Sequence, residues 1–268
     1  MKRLLTILAG MMACISLAAC GMGTTAPQTD GGQTTDEAQT AAPVETVPAV
    51  TAQPDENTEL YLAFSQALET LLTSSILPDG MQSEAQDSAT PSRFAVYDVD
   101  ADGEDELILI NNTVTEAGTS GYVFSYDAQT GTLQTELLEY PALTFYDNGV
   151  VMVKWSHNQG LAGDFWPYNL HQYDASIDCY RPCGSVDAWD KQVSETNEQG
   201  ESFPADIDKS GTGRVYYIVV NRDAENPSAV DEADYTAWLN GWIGGAKELQ
   251  IEYLDLTQDN IALLRSMK

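Results

Sequence analysis

Positive charge is scarce in this chain: 12 Lys and Arg stand against 41 Asp and Glu over 268 residues, a formal net charge of −29. Phosphate backbones are bound by clustered Lys and Arg, so this balance excludes nucleic acid as a partner. It also excludes electrostatic attachment to an anionic bilayer. Histidine is nearly missing as well. Only His157 and His171 offer imidazole bases, and no local motif ties either to a nucleophile. The chain contains no H-E-x-x-H, no G-x-S-x-G and no phosphate-cradling glycine loop, which removes the common hydrolase and nucleotide signatures.

What is present begins at the N-terminus. Lys2 and Arg3 precede a short apolar stretch from Leu4 to Leu17. That stretch is too short for a typical membrane-spanning helix and reads as a secretory signal. It ends in Leu17-Ala18-Ala19-Cys20, which resembles the lipobox of bacterial lipoproteins. The resemblance implies removal of residues 1–19 and lipidation of Cys20. The expected location is the extracytoplasmic face of a bacterial cell membrane, with acyl chains as the anchor. Residues 20–56 are rich in Thr, Ala, Gln, Pro and Gly, with no aromatic side chain and no positive charge. Such a segment cannot bury enough apolar surface to order itself, so it is expected to be a disordered tether. Cys14 leaves with the signal. Cys179 and Cys183 remain, and their spacing is compatible with a small-loop disulfide or with two free thiols. As a zinc half-site they lack a second pair.

The most informative stretch runs from Asp98 to Glu106, where six of nine side chains are carboxylates and neither Lys nor Arg intervenes. Carboxylates this close repel one another, and a hard divalent cation with six to eight oxygen ligands relieves the repulsion. Asp98, Asp100 and Asp102 occupy positions 1, 3 and 5 of the loop. Gly103 at position 6 suits a sharp turn, because it accepts backbone angles closed to other residues. Position 7 is Glu104, offering its carbonyl, and position 9 is Glu106. An EF-hand would need Glu at position 12, where this chain has Leu109, and helical flanks where this chain reads as strand. The pattern D-x-D-x-D-G-x-x-E between strands resembles the calcium loops of FG-GAP/VCBS-type repeats. The resemblance covers about residues 93–110 and implies Ca²⁺ held by Asp98, Asp100, Asp102, Glu104 and Glu106. A second stretch, Asp206 to Arg214, looks like a decayed copy with Arg at position 9, and reads as an ordinary turn.

A single folded α+β domain is expected over residues 57–268. Leu60, Phe64, Leu68, Leu71 and Leu72 recur at helical spacing after Asn57, a candidate N-cap, and Pro78-Asp79-Gly80 closes that helix. Strands are expected at 94–99, 107–110, 121–126, 132–139, 143–146, 150–156, 215–220 and 249–253. The unbroken apolar run Leu107 to Ile110 implies a strand covered on both faces. Tyr-Asp recurs at Tyr97, Tyr126, Tyr146 and Tyr173, each placed where a strand would hand over to a turn. Near the C-terminus Asp231 starts a helix whose face carries Tyr235, Trp238, Leu239, Trp242 and Ile243, a stripe expected to join the core. Thr257 caps a last helix. The architecture expected is a many-stranded antiparallel sheet, a meander of hairpins, with one N-terminal and two C-terminal helices. The alternative is an incomplete β-propeller. The arrangement, including the Tyr-x-x-Trp-Leu helix, also resembles uncharacterised lipoproteins of Gram-positive bacteria, a likeness that implies no activity.

One further region is a candidate ligand site: His157, Asp164, Trp166 and Tyr168 around a glycine-containing loop. Aromatic rings beside polar groups suit a glycan face or a protein ligand. The alternative is that these aromatics cover one end of the sheet. The function expected is therefore that of a calcium-binding surface protein anchored by lipid and acting as a binding or adhesion module. The second reading is an extracytoplasmic hydrolase of envelope or polysaccharide material.

Overall fold

The computed structural model describes residues 56–83, 90–113, 118–155, 160–220 and 228–267, with side chains from residue 58 onward. The leader, Cys20, the tether before residue 56 and His157 lie outside the described residues.

The chain runs α1 (Glu56–Ser74), β1 (Arg93–Tyr97), β2 (Glu106–Asn111), β3 (Ser120–Asp127), β4 (Thr132–Glu139), β5 (Ala142–Phe145), β6 (Val150–Lys154), β7 (Tyr168–Asp174) and β8 (Cys179–Asp190). It continues through β9 (Arg214–Val219), β10 (Ala229–Val230), α2 (Glu232–Ile243), β11 (Leu254–Asp255) and α3 (Gln258–Arg265). This is an α+β fold with one N-terminal and two C-terminal helices, and every strand pairing is antiparallel. The strands form two sheets where a single one was expected, in the orders β11-β1-β2-β3-β4 and β10-β9-β8-β7-β6-β5. Neither a propeller nor a closed barrel is found among the described residues, which sets the propeller alternative aside.

Three apolar clusters arrange these elements as four layers. Leu60, Phe64, Leu68 and Leu71 of α1 and Ile261 and Leu264 of α3 pack on Phe94, Leu107, Leu109, Tyr122 and Phe124 of the first sheet. The opposite face of that sheet, with Ala95, Ile108, Val123 and Leu137, meets Phe145, Val151, Val153 and Tyr180 of the second. The far side of the second sheet, with Val150, Met152, Leu170 and Val186, takes the half-buried stripe of Tyr235, Trp238, Leu239, Trp242 and Ile243 on α2. Side chains alternate across a strand, so the continuous apolar runs fall into place. Leu107 and Leu109 face the helices while Ile108 faces the other sheet. Val150 and Met152 likewise face α2 while Val151 and Val153 face the first sheet.

Local differences from the sequence reading have simple causes. The first helix begins at Glu56, which puts Asn57 inside it. It ends before Pro78, because Ser75 takes φ +54 and donates its N–H to Leu71 O at 2.9 Å. Leu72 turns out to solvent at 38% exposure. The expected strand at 249–253 does not form a ladder. Leu249 N donates to Phe145 O (2.8 Å), and Leu249, Ile251 and Tyr253 lie against the inter-sheet core. Asp231 and Thr257 cap α2 and α3 as the sequence indicates. The two thiols question is also answered. Cys179 and Cys183 are not bridged to each other: both lie on β8, where four residues of extended chain put them roughly 13 Å apart, beyond reach of a disulfide.

Candidate metal centre

The acidic loop joins β1 to β2 at the rim of the inter-sheet space. Its turn is held by its own carboxylates. Asp98 Oδ1 accepts from Ala101 N (2.8 Å), Asp100 Oδ1 from Asp102 N (3.0 Å) and Asp102 Oδ1 from Glu104 N (2.8 Å). Gly103 sits at φ +100, the left-handed geometry that favours glycine at this position. Glu106, the first residue of β2, points into the protein and accepts from Val99 N through Oε2 at 2.8 Å. From the second sheet, the Tyr180 hydroxyl donates to Val99 O at 3.2 Å. The Tyr173 hydroxyl lies 2.8 Å from Asp178 Oδ1 and 3.3 Å from Asp102 Oδ2. Gly149, in the β5–β6 turn at φ +73, comes so close that a Cβ there would lie 2.8 Å from Asp100 O. The loop is thus clamped by two turns of the opposing sheet.

Of the side-chain carboxylates expected to hold the ion, those of Asp98, Asp100 and Glu106 are brought together. Single ligand atoms of Asp98, Asp100 and Glu106 lie within 4.8 Å of one another. Two ligands of one Ca²⁺ are separated by at most about 5 Å, given bonds of about 2.3–2.6 Å, so the three fit one coordination sphere. Asp102 and Glu104 instead line a cavity of about 260 Å³ beside the cluster, with Asp105, Glu106, Ser125, Tyr173 and Asp178. Glu106 and Asp178 are the members of the acidic clusters that border that cavity.

Two acidic residues that the sequence did not single out complete the site. Glu136 is the extra residue of a β-bulge in β4, where Val123 pairs with Leu137 but Phe124 with Thr135. A bulge re-aims side chains, and here both Leu137 and Glu136 turn toward the second sheet. Asp178 lies in the β7–β8 turn at φ +49. One ligand atom from each of Asp100, Glu136 and Asp178 again falls within 4.8 Å. The Cys179 thiol donates to Glu136 O at 3.1 Å, fastening the bulge to β8.

The electrostatics of this arrangement are adverse. Asp100 is 5% exposed, Glu106 1% and Glu136 2%. Burial, and then the charge of Asp102, push the Asp100 pKa up to about 7. Burial and Asp100 push Glu106 up to about 10 and Glu136 up to about 9. Asp100 Oδ2 and both carboxylate oxygens of Glu136 have no hydrogen-bond partner among the described residues. The Ser125 hydroxyl lies 3.2 Å from Asp178 Oδ2 and also close enough to Glu136 to offset a small part of its shift, but its single proton can serve only one of the two carboxylates. Buried carboxylates without donors cost several kcal/mol each when charged. A divalent cation fits the donor set: it is all oxygen and partly orphaned.

No protein-family model, curated protein or solved structure matches this chain. The site therefore rests on its own geometry.

The second candidate region does not converge on one pocket. Tyr168 is 3% exposed on β7, with its hydroxyl 3.2 Å from that of Tyr235, so it belongs to the core rather than to a ligand face. Asp164 pairs with Arg214, which also binds Asp190 Oδ2 at 2.6 Å. These three border a groove of about 520 Å³ that neither Trp166 nor Tyr168 lines. Trp166 is exposed. His171 is buried, with Nε2 3.0 Å from Glu139 Oε1 at ion-pairing distance rather than as an aligned hydrogen bond.

Proposed function

We propose that this chain is a lipid-anchored extracytoplasmic surface protein, a binding or adhesion module whose acidic β1–β2 loop takes up Ca²⁺. One observation carries the metal: Asp100 is buried with Oδ2 lacking any donor, within ligand distance of Asp98 and Glu106. All donors in the site are carboxylates, and neither group includes a His or Cys, which favours a hard cation over zinc or copper. The ion's role is to stiffen the rim where two sheets meet. Lipid on Cys20 holds the module at the membrane and the tether lifts it off the surface. The exposed Trp166 is the residue offered to a glycan or protein ligand.

Thermal unfolding in EDTA and in millimolar CaCl₂ tests the metal. The expected result is a higher Tm with calcium, abolished in Asp100→Asn. An equal Tm in both buffers contradicts the reading. A Cys20→Ser variant tests the anchor independently: the protein is expected to move from the membrane fraction to the soluble one, and retention at the membrane contradicts lipid anchoring.

A further inference from the structure

We propose that the chain holds two cations, not one, and that the second sits between the sheets on Asp100, Glu136 and Asp178. This rests on the first ion of the preceding section and adds a site that the loop pattern does not contain.

Three observations carry it. The ligand atoms form two compact groups, Asp98–Asp100–Glu106 and Asp100–Glu136–Asp178, with Asp100 common to both. A carboxylate has two oxygens. Oδ1 of Asp100 accepts only one N–H, that of Asp102, and keeps a lone pair, and Oδ2 has no donor, so the carboxylate can bridge two ions. Glu136 is the strongest sign. It is 2% exposed, and both its oxygens lack partners among the described residues. A bulge places it against Asp100 and Asp178, where a regular strand would have turned it to the other face. Nothing in the first ion's loop accounts for that expense.

Charge counting agrees. The two groups together hold five carboxylates, Asp98, Asp100, Glu106, Glu136 and Asp178. One divalent ion leaves three negative charges at a largely buried place, whereas two leave one. The second ion also has a structural consequence. Glu136 lies on β4 of the first sheet, Asp100 in the loop joining that sheet's β1 and β2, and Asp178 in the β7–β8 turn of the second. The ion therefore staples the two sheets at their rim, beside the existing link from Tyr180 to Val99 O.

Equilibrium dialysis of the intact chain against ⁴⁵Ca²⁺, with stoichiometry read per chain, tests this. Two ions are expected for the wild type. One is expected for Glu136→Gln and for Asp178→Asn, the latter lying in an exposed turn so that folding is spared. One ion is also expected for Asp98→Asn, which spares the second site. A wild-type count of one overturns the second site and leaves the proposed function standing. A count of zero overturns both. Two ions retained in Asp178→Asn and Glu136→Gln overturn the assignment to these residues.

Discussion

Asp98 to Glu106 and Asp206 to Arg214 each place Asp at positions 1 and 3, Gly at a positive φ at position 6, and the first residue of a strand at position 9. The loops differ in how the negative charge is met. In the second, Asp208 accepts from Thr212 N (3.0 Å) and Gly213 N (2.9 Å), so both of its oxygens are used by the backbone. At position 9 the chain supplies its own cation: Arg214 pairs with Asp164 and Asp190. In the first loop position 9 is Glu106, buried, and the neighbouring carboxylates Asp100 and Glu136 keep oxygens without donors. A loop whose Asp208 is satisfied by its own backbone, and whose position 9 is a cation paired with carboxylates outside it, is complete as folded. A loop that buries a further carboxylate in that place is completed from solution. The difference lies in one residue and its burial, not in the spacing.

Removing the external cation gives the largest expected contrast. At calcium about a hundredfold above Kd, binding contributes about 2.7 kcal/mol, or roughly 5–10 °C in Tm for a domain of this size. Asp100→Asn abolishes this shift, read by melting with and without EDTA, whereas Arg214→Met leaves it intact.

The pH dependence sharpens the same contrast. Asp100, Glu106 and Glu136 hold protons more tightly when folded than the ordinary values of 3.8 and 4.5. Metal-free stability from these groups is therefore fully present below about pH 4. It is lost as pH rises through about 7 at Asp100, then about 9 at Glu136 and about 10 at Glu106. In EDTA the Tm is expected to fall from mildly acidic to mildly alkaline pH. The calcium-induced shift should grow over the same range, because the ion needs deprotonated ligands. A metal-free Tm that rises with pH contradicts the burial argument.

Smaller effects belong to the self-completed loop. Arg214→Met leaves Asp190 without its cation at a partly buried place and is expected to cost about 1–2 kcal/mol in urea unfolding. Asp208→Ala loses two backbone acceptor bonds and is expected to cost about 1 kcal/mol. Neither should change the calcium-induced shift. If either does, the two loops are coupled and the comparison fails.

Much of this was legible from residue order. The run Leu107 to Ile110 signals burial on both faces, and each of the four Tyr-Asp steps does mark the end of a strand. The helices at both ends follow from spacing and caps. Strand β8 was hidden because Pro182 and Gly184 interrupt it; both lie beside a bulge opposite Leu170 and His171 of β7, where a strand tolerates such residues. The loop itself is local and could be read. Glu136 and Asp178 could not, since only sheet register brings them to Asp100. The one local hint is a charged residue beside Leu137 and Leu138 in a strand whose alternation breaks at that point.

The most direct test of the central claim is anomalous scattering from crystals grown in CaCl₂ and measured at long wavelength. The expected result is an anomalous peak about 2.3–2.6 Å from oxygens of Asp100 and Glu106, with none beside Asp208. An empty map at the first loop, with Asp100 and Glu136 paired to protein donors instead, would contradict the claim that this rim is completed by a cation.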